Sequence, residues 1–117
     1  MNQYLLLLHE APADAAAISP AQMKEIIARH QAWAQNLGAR QRLAGGEKLC
    51  DDGGRHLRLQ NGRPLASDGP YAEAHDVIGG YYVIRAENDA EAETIAAECP
   101  HLEGTHWIEL RRIDGMM

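Results

Sequence analysis

The stretch Asp68-Gly69-Pro70-Tyr71-Ala72-Glu73, followed closely by Asp76-Val77-Ile78-Gly79-Gly80-Tyr81-Tyr82-Val83-Ile84, decides how this chain is read. Its first half is a stiff acidic turn: Pro70 locks its own φ, Gly69 tolerates the geometry that a following proline imposes, and Asp68 can accept from nearby backbone N–H groups. Its second half is apolar at nearly every position, which predicts a strand buried at the centre of a sheet. A rigid turn at the mouth of such a strand is a place where ligands are held. The adjacent Gly79 and Gly80 predict that some other group approaches the strand closely.

Toward the N-terminus, Tyr4-Leu5-Leu6-Leu7-Leu8 lacks polar alternation and predicts a second central strand, covered on both faces. Residues 9–19 have no periodic pattern and predict a loop. Ser19-Pro20-Ala21-Gln22 is a helix start, with the cap at Ser19, proline at the first helical position and Gln22 reaching back. Met23, Ile26, Ile27, His30, Ala34 and Leu37 recur at helical spacing, so the helix is expected over residues 20–37 with Gly38 as its left-handed terminator. Residues 39–49, with Gly45-Gly46, predict an exposed or bulged edge strand. Asn61-Gly62 between residues 56–60 and 63–66 is the commonest hairpin turn and predicts a peripheral hairpin.

Toward the C-terminus, Asn88-Asp89-Ala90-Glu91 predicts a second capped helix, with Ala92, Ile95, Ala96 and Cys99 on one face until Pro100 ends it. Residues 106–113 then alternate as a half-buried strand, His106, Ile108 and Leu110 facing one way and Trp107, Glu109 and Arg111 the other. The resulting order of strands and helices predicts an α+β fold of the ferredoxin-like split β-α-β type with an extra hairpin, its first and third main strands paired at the centre. Two helices cover one face of such a sheet. A second copy of the chain is the simplest cover for the other, so a homodimer packed sheet to sheet is expected.

At 117 residues a single domain is expected. The net charge of −6, with its basic residues scattered, argues against nucleic acid and anionic membrane surfaces as partners. Two cysteines, Cys50 and Cys99, are too few for a disulfide framework, and the longest apolar run is far short of a membrane helix. A cytoplasmic protein with free thiols is expected.

His30 is the polar member of an apolar helical stripe, and an imidazole there suits a general base. Its alternative role is that of a partly buried histidine bonded to a backbone carbonyl. Asp68 is the carboxylate expected to orient His30, or else the cap of its own turn. Glu73 is a pocket acid or a local cap. Tyr81 and Tyr82 point to opposite faces, so one is expected to line a pocket on the helix side and the other to face the dimer partner. Cys99, His101 and His106 are metal-competent side chains, but their spacing fits no standard metal motif, and no metal or cofactor is expected. Trp33 and Trp107 read as packing residues, and His56 and His75 as surface residues. The ligand expected is a small aromatic or cyclic molecule.

Taken together, Asp68-Gly69-Pro70-Tyr71-Ala72-Glu73, Gly79-Gly80-Tyr81-Tyr82, Cys99-Pro100 and Ile108-Glu109 make a chain that resembles the YCII-related family. Within it, they resemble the branch named for an Asp-Gly-Pro-Phe motif, with Tyr71 where that branch usually has phenylalanine. The resemblance implies a dimeric α+β barrel. Other members of the family carry a histidine on the first helix and an aspartate after the second as a proposed catalytic dyad, and one relative is a dehydrochlorinase of a chlorinated hydroxyquinol. His30 is similar to that histidine in its place, whereas the aspartate position falls at Cys99. The chemistry so implied is proton abstraction or elimination without a cofactor. Some members of the branch lie beside sigma-factor genes, which implies as the rival role a non-catalytic ligand-binding or protein-interaction module accessory to a regulator.

Overall fold

The computed structural model describes residues 1–52, 54–68 and 76–115. Strand β1 (Asn2–Glu10) and strand β5 (Val77–Ala86) form the antiparallel centre of a four-stranded sheet, flanked by β2 (Leu43–Lys48) and β6 (Trp107–Arg112) in the order β2-β5-β1-β6. The two strands read as central are therefore the central ones. A separate two-stranded sheet, β3 (Arg55–Gln60) with β4 (Arg63–Asp68), is the expected hairpin, and its turn residues Asn61 and Gly62 take φ of 53° and 76°, the left-handed geometry this turn requires. The chain is α+β with a mostly antiparallel sheet and three helices, α1 (Pro12–Ala16), α2 (Pro20–Ala39) and α3 (Asp89–Ala97).

Three local readings change. The short helix α1 stands where a loop was expected, because Pro12 suits the first helical position and the alanines after it have the highest helix propensity. Helix α2 runs through Gly38 to Ala39. The left-handed residue is Gln41, with φ of 57°, and the Arg42 N–H reaches back to the Leu37 carbonyl at 2.8 Å, closing the helix three residues later than the glycine suggests. Asn88 caps α3 by accepting from the Glu91 N–H at 2.9 Å, but the Glu91 carboxylate turns to the Glu87 N–H at 3.0 Å and to Arg42 Nε at 3.1 Å instead of back to Asn88. That ion pair ties α3 to the segment entering β2.

The core lies between the sheet and the helices. Tyr4, Leu6 and Leu8 of β1 and Ile84 and Ala86 of β5 pack against Leu37 of α2 and Ala92, Ile95 and Ala96 of α3. Each fully buried leucine or isoleucine here contributes ~1.5–3 kcal/mol by leaving water. The buried Tyr4 hydroxyl donates to Asp89 at 2.7 Å, which satisfies its polar end. On the opposite face Leu5, Leu7, Tyr81 and Val83 are only half-buried in the single chain, although the sequence expectation was burial on both faces. The hairpin projects with Leu57, Leu59 and Leu65 at 69%, 75% and 52% exposure.

The Ser19 cap supplies a stability test. The Ser19 hydroxyl accepts from the Gln22 N–H at 3.1 Å and the Gln22 side chain accepts from the Ser19 N–H at 2.9 Å. Ser19→Ala breaks the first of these and is expected to cost ~1 kcal/mol in chemical denaturation. An unchanged midpoint would show that the helix start is held by other contacts.

Candidate functional site

Helix α2 carries more apolar residues than it buries. Leu37 is buried and Trp33 packs on the core, whereas Met23, Ile26, Ile27, His30 and Ala34 in the earlier turns face a cavity of about 560 Å³ between the helix and the sheet. The sheet side is lined by Leu8, Gly46, Gly80 and Tyr82, and Pro100, His101 and His106 complete the wall. A cavity of this volume takes a small organic molecule.

His30 and Tyr82 meet inside it. His30 Nδ1 lies 2.8 Å from the Tyr82 hydroxyl, with the rings nearly parallel at 10° and their centroids 6.0 Å apart. The Trp33 and Tyr82 rings also meet edge to face, 4.9 Å between centroids at 72°. Burial lowers the His30 pKa, with a smaller push from the Arg29 charge, and burial pushes the Tyr82 phenol up to about 12. The pair is thus a neutral imidazole beside a neutral phenol at neutral pH. If the phenol donates to Nδ1, His30 presents Nε2–H to the cavity as a donor. If Nδ1–H donates to the phenol oxygen, Nε2 presents a lone pair and can take a proton.

The other histidines divide by their partners. His101 is buried, its Nε2–H donates to the His9 carbonyl at 2.8 Å, and burial lowers its pKa; it is a satisfied histidine with one tautomer fixed. His106 stacks on it at 4.8 Å and is half-buried on the cavity wall. Buried Cys99 has its thiol pushed up to about 11 by desolvation, which keeps it protonated and unreactive. Among the described residues, no group of three or more His, Cys, Asp or Glu is arranged to hold a metal ion. At the rim, Arg29 of α2 grips Glu103 through two contacts of 3.3 and 3.2 Å and holds that carboxyl below its usual range.

The structure brings His30 to Tyr82, and it brings Asp68 to Arg55. The Asp68 carboxylate lies 2.5 Å from the Arg55 guanidinium across the hairpin, at 91% side-chain exposure, and Asp68 is not on the cavity wall. Glu73, with the rest of the turn at residues 69–75 and His75 among them, lies outside the described residues. Tyr82 and His106 line the cavity and Tyr81 borders it, its strand register pairing it with Leu7 and Glu47. His56 is exposed, as expected.

Three features of the site escaped the sequence reading. Gly46 makes room for the Tyr82 ring: a Cβ there would lie 2.6 Å from Tyr82 Cδ1. Glu10, at the end of β1, lines the same cavity. On the sheet face away from the helices, His9 sits between Asp76 and Glu109, each at 3.1 Å, and stacks on Trp107 at 3.9 Å, while Trp107 Nε1 donates to Asp76 at 2.9 Å. The last was signalled by the alternation of β6, which puts Trp107 and Glu109 on one face.

The model of the YCII-related domain matches residues 2–113 of the chain. No curated protein matches it.

Because the folded state lowers the His30 pKa, folded protein binds that proton less readily than unfolded chain. The group therefore takes stability away as pH falls through the ordinary histidine range and none above it. An NMR titration of the His30 ring is expected to give a midpoint below that of a histidine in a short unstructured peptide. A midpoint equal to or above it would mean that the ring is solvated or paired with an anion.

Proposed function

This chain belongs to the YCII-related family, a domain of unknown function, and from that premise we propose that its helix-side cavity binds a small aromatic or cyclic molecule in contact with His30. The observation that carries this is the 2.8 Å bond between His30 and the Tyr82 hydroxyl at the wall of a cavity lined largely by apolar residues. A neutral imidazole held at one nitrogen by a phenol has its other nitrogen available for a ligand proton. The chemistry that follows is cofactor-free proton abstraction or elimination, with His30 as base. Tyr82 takes the orienting role that the sequence reading gave to Asp68.

The reading extends to the assembly and the branch. Residues 68–73 support membership of the Asp-Gly-Pro-Phe branch, with Tyr71 in the phenylalanine position. The strand order β2-β5-β1-β6 supports the ferredoxin-like split β-α-β arrangement. Half-buried Leu5, Leu7, Tyr81 and Val83 on the face without helices support a dimeric α+β barrel, in which a second copy of this single domain covers them. The free thiols support a cytoplasmic setting. In solution the mass by light scattering is expected to be twice that of the chain at micromolar concentration; a monomer mass would remove the barrel.

One observation favours a second reading. Among the described residues His30 makes no bond to a carboxylate, and the Asp68 carboxylate is engaged by Arg55. A site without the acid partner of a dyad suits a non-catalytic binding module, accessory to a transcriptional regulator, as well as it suits an enzyme. Calorimetry against small phenols and cyclic ketones separates the possibilities. Binding by the native protein, weakened about tenfold or more in His30→Ala, is expected, since a lost hydrogen bond in a desolvated site costs ~1–3 kcal/mol. Exchange of an acidic ligand C–H with deuterated solvent, dependent on His30, marks the catalytic form, and binding without exchange the non-catalytic one. Equal affinity in the native and His30→Ala proteins would overturn the assignment of His30.

A further inference from the structure

We propose that Glu10 selects the ligand of this cavity, and that the ligand is a small organic amine with an aromatic or apolar body whose ammonium group pairs with the Glu10 carboxylate. The inference rests on the pocket reading above and adds to it the charge of what is bound.

The carboxylate is built into the wall. Glu10 is half-buried and lines the same cavity as His30. A Cβ on Gly79 would lie 1.9 Å from Glu10 Oε1 and 2.7 Å from its Cδ, so any other residue there would push the end of this side chain aside. The register of β1 against β5 shifts between Leu8 and His9, pairing Leu8 with Gly80 but His9 with Ile78, so that Gly79 is the extra residue of a bulge. Glu10 continues the alternation of Leu6 and Leu8, which puts its side chain on the helix side of the sheet, and the glycine bulge opposite leaves it room along the cavity.

Among the described residues nothing compensates the charge there. Among the described residues the Glu10 carboxylate has no hydrogen-bond or ion-pair partner, whereas the other charges on the wall are matched: Glu103 by Arg29 at 3.2 Å, and Lys48 by Asp51 at 3.0 Å. Glu47 borders the cavity, but its pairing with Tyr81 puts its side chain on the other face of the sheet. His30 and His101 contribute no positive charge at neutral pH, since burial disfavours it. A carboxylate facing apolar walls repels an anionic ligand and is relieved by a cation, while Ile26, Ile27 and Tyr82 offer an apolar and aromatic surface to the ligand body.

Three probes share a phenol ring and differ in the charge of a short tail: tyramine, 4-ethylphenol and 4-hydroxyphenylacetate. Calorimetry of the full chain is expected to give tyramine about tenfold tighter than 4-ethylphenol, with the acid weakest, as one partly buried ion pair implies. In Glu10→Gln the preference for the amine is expected to vanish while 4-ethylphenol still binds. Gly79→Ala provides an independent variant, which leaves the carboxylate in the chain but displaces it, and the same loss is expected. Equal or tighter binding of 4-ethylphenol or the acid by the native protein, or an amine preference intact in both variants, would overturn the role of Glu10 and leave the pocket standing. Failure of all three probes to bind would overturn the pocket reading and this inference together.

Discussion

The antiparallel pairing of β1 with β5 is the constraint on which the rest depends. With Leu6 opposite Tyr82 and Tyr4 opposite Ile84, both strands send alternate residues into the same layer against the helices. Side chains in a strand have a period of two, so a slip of β5 by one residue against β1 would turn Tyr82 and Ile84 out and Tyr81 and Val83 in. The core would change little in apolar content, because both sets are apolar. The site would be lost, because Tyr82 would no longer reach His30. The observed register seats the Tyr82 hydroxyl on His30 at the wall, while Tyr4, opposite Ile84, is bonded to Asp89 at the other end of the layer.

That pairing comes with a space requirement met by glycine. The Tyr82 ring lies over Gly46 of β2, the Glu10 carboxylate lies over Gly79, and the Glu47 carbonyl would stand 3.0 Å from a Cβ on Gly80. Each glycine removes a side chain where a neighbour needs to pass. None of the three has a positive φ. Their role is steric clearance, and together they hollow one end of a sheet whose other end is filled by Leu37, Ile84 and Ile95. Helix α2 spans both ends, which is why its stripe is buried at Leu37 yet leaves Ile27 47% exposed.

Much of the fold was legible because periodicity and caps report local energetics: the runs at residues 4–8 and 77–84 are central strands, Ser19 and Asn88 cap helices, and Asn61-Gly62 makes the hairpin turn. The end of α2 was not, since Gly38 and Gln41 both lie where a helix can stop and the choice is made by the Arg42 N–H finding the Leu37 carbonyl. The site was half legible. His30 announced itself as a polar residue in an apolar stripe, and the opposition of Tyr81 and Tyr82 followed from strand geometry. Which tyrosine faces the helix did not follow, because residues on both faces of that strand are apolar and only register decides. Glu10 stayed hidden because the apolar run stops at Leu8, whereas the strand continues to Glu10 by pairing that needs no apolar side chain. The Asp68 expectation rested on chain proximity to β5, and the hairpin's own Arg55 lies directly across from it in register.

The His30–Tyr82 pair has two hydrogen-bonded forms that differ in the position of a proton, and this makes binding and catalysis neighbouring states of one site. A carboxylate partner would hold the ring in one tautomer and favour its charged form. A phenol whose pKa is raised to about 12 does neither, since it can donate or accept and supplies no charge. The tautomer is then left to whatever the other nitrogen meets. A ligand acceptor draws Nε2–H and leaves the phenol as donor to Nδ1; a ligand proton donor draws the Nε2 lone pair and turns Nδ1–H toward the phenol. If His30 then takes that proton, the new imidazolium sits in a half-buried site that disfavours its charge, and relief must come from an anion. Glu10 lines the same cavity as His30 and has no hydrogen-bond or ion-pair partner among the described residues, so it is a carboxylate from which such relief could come.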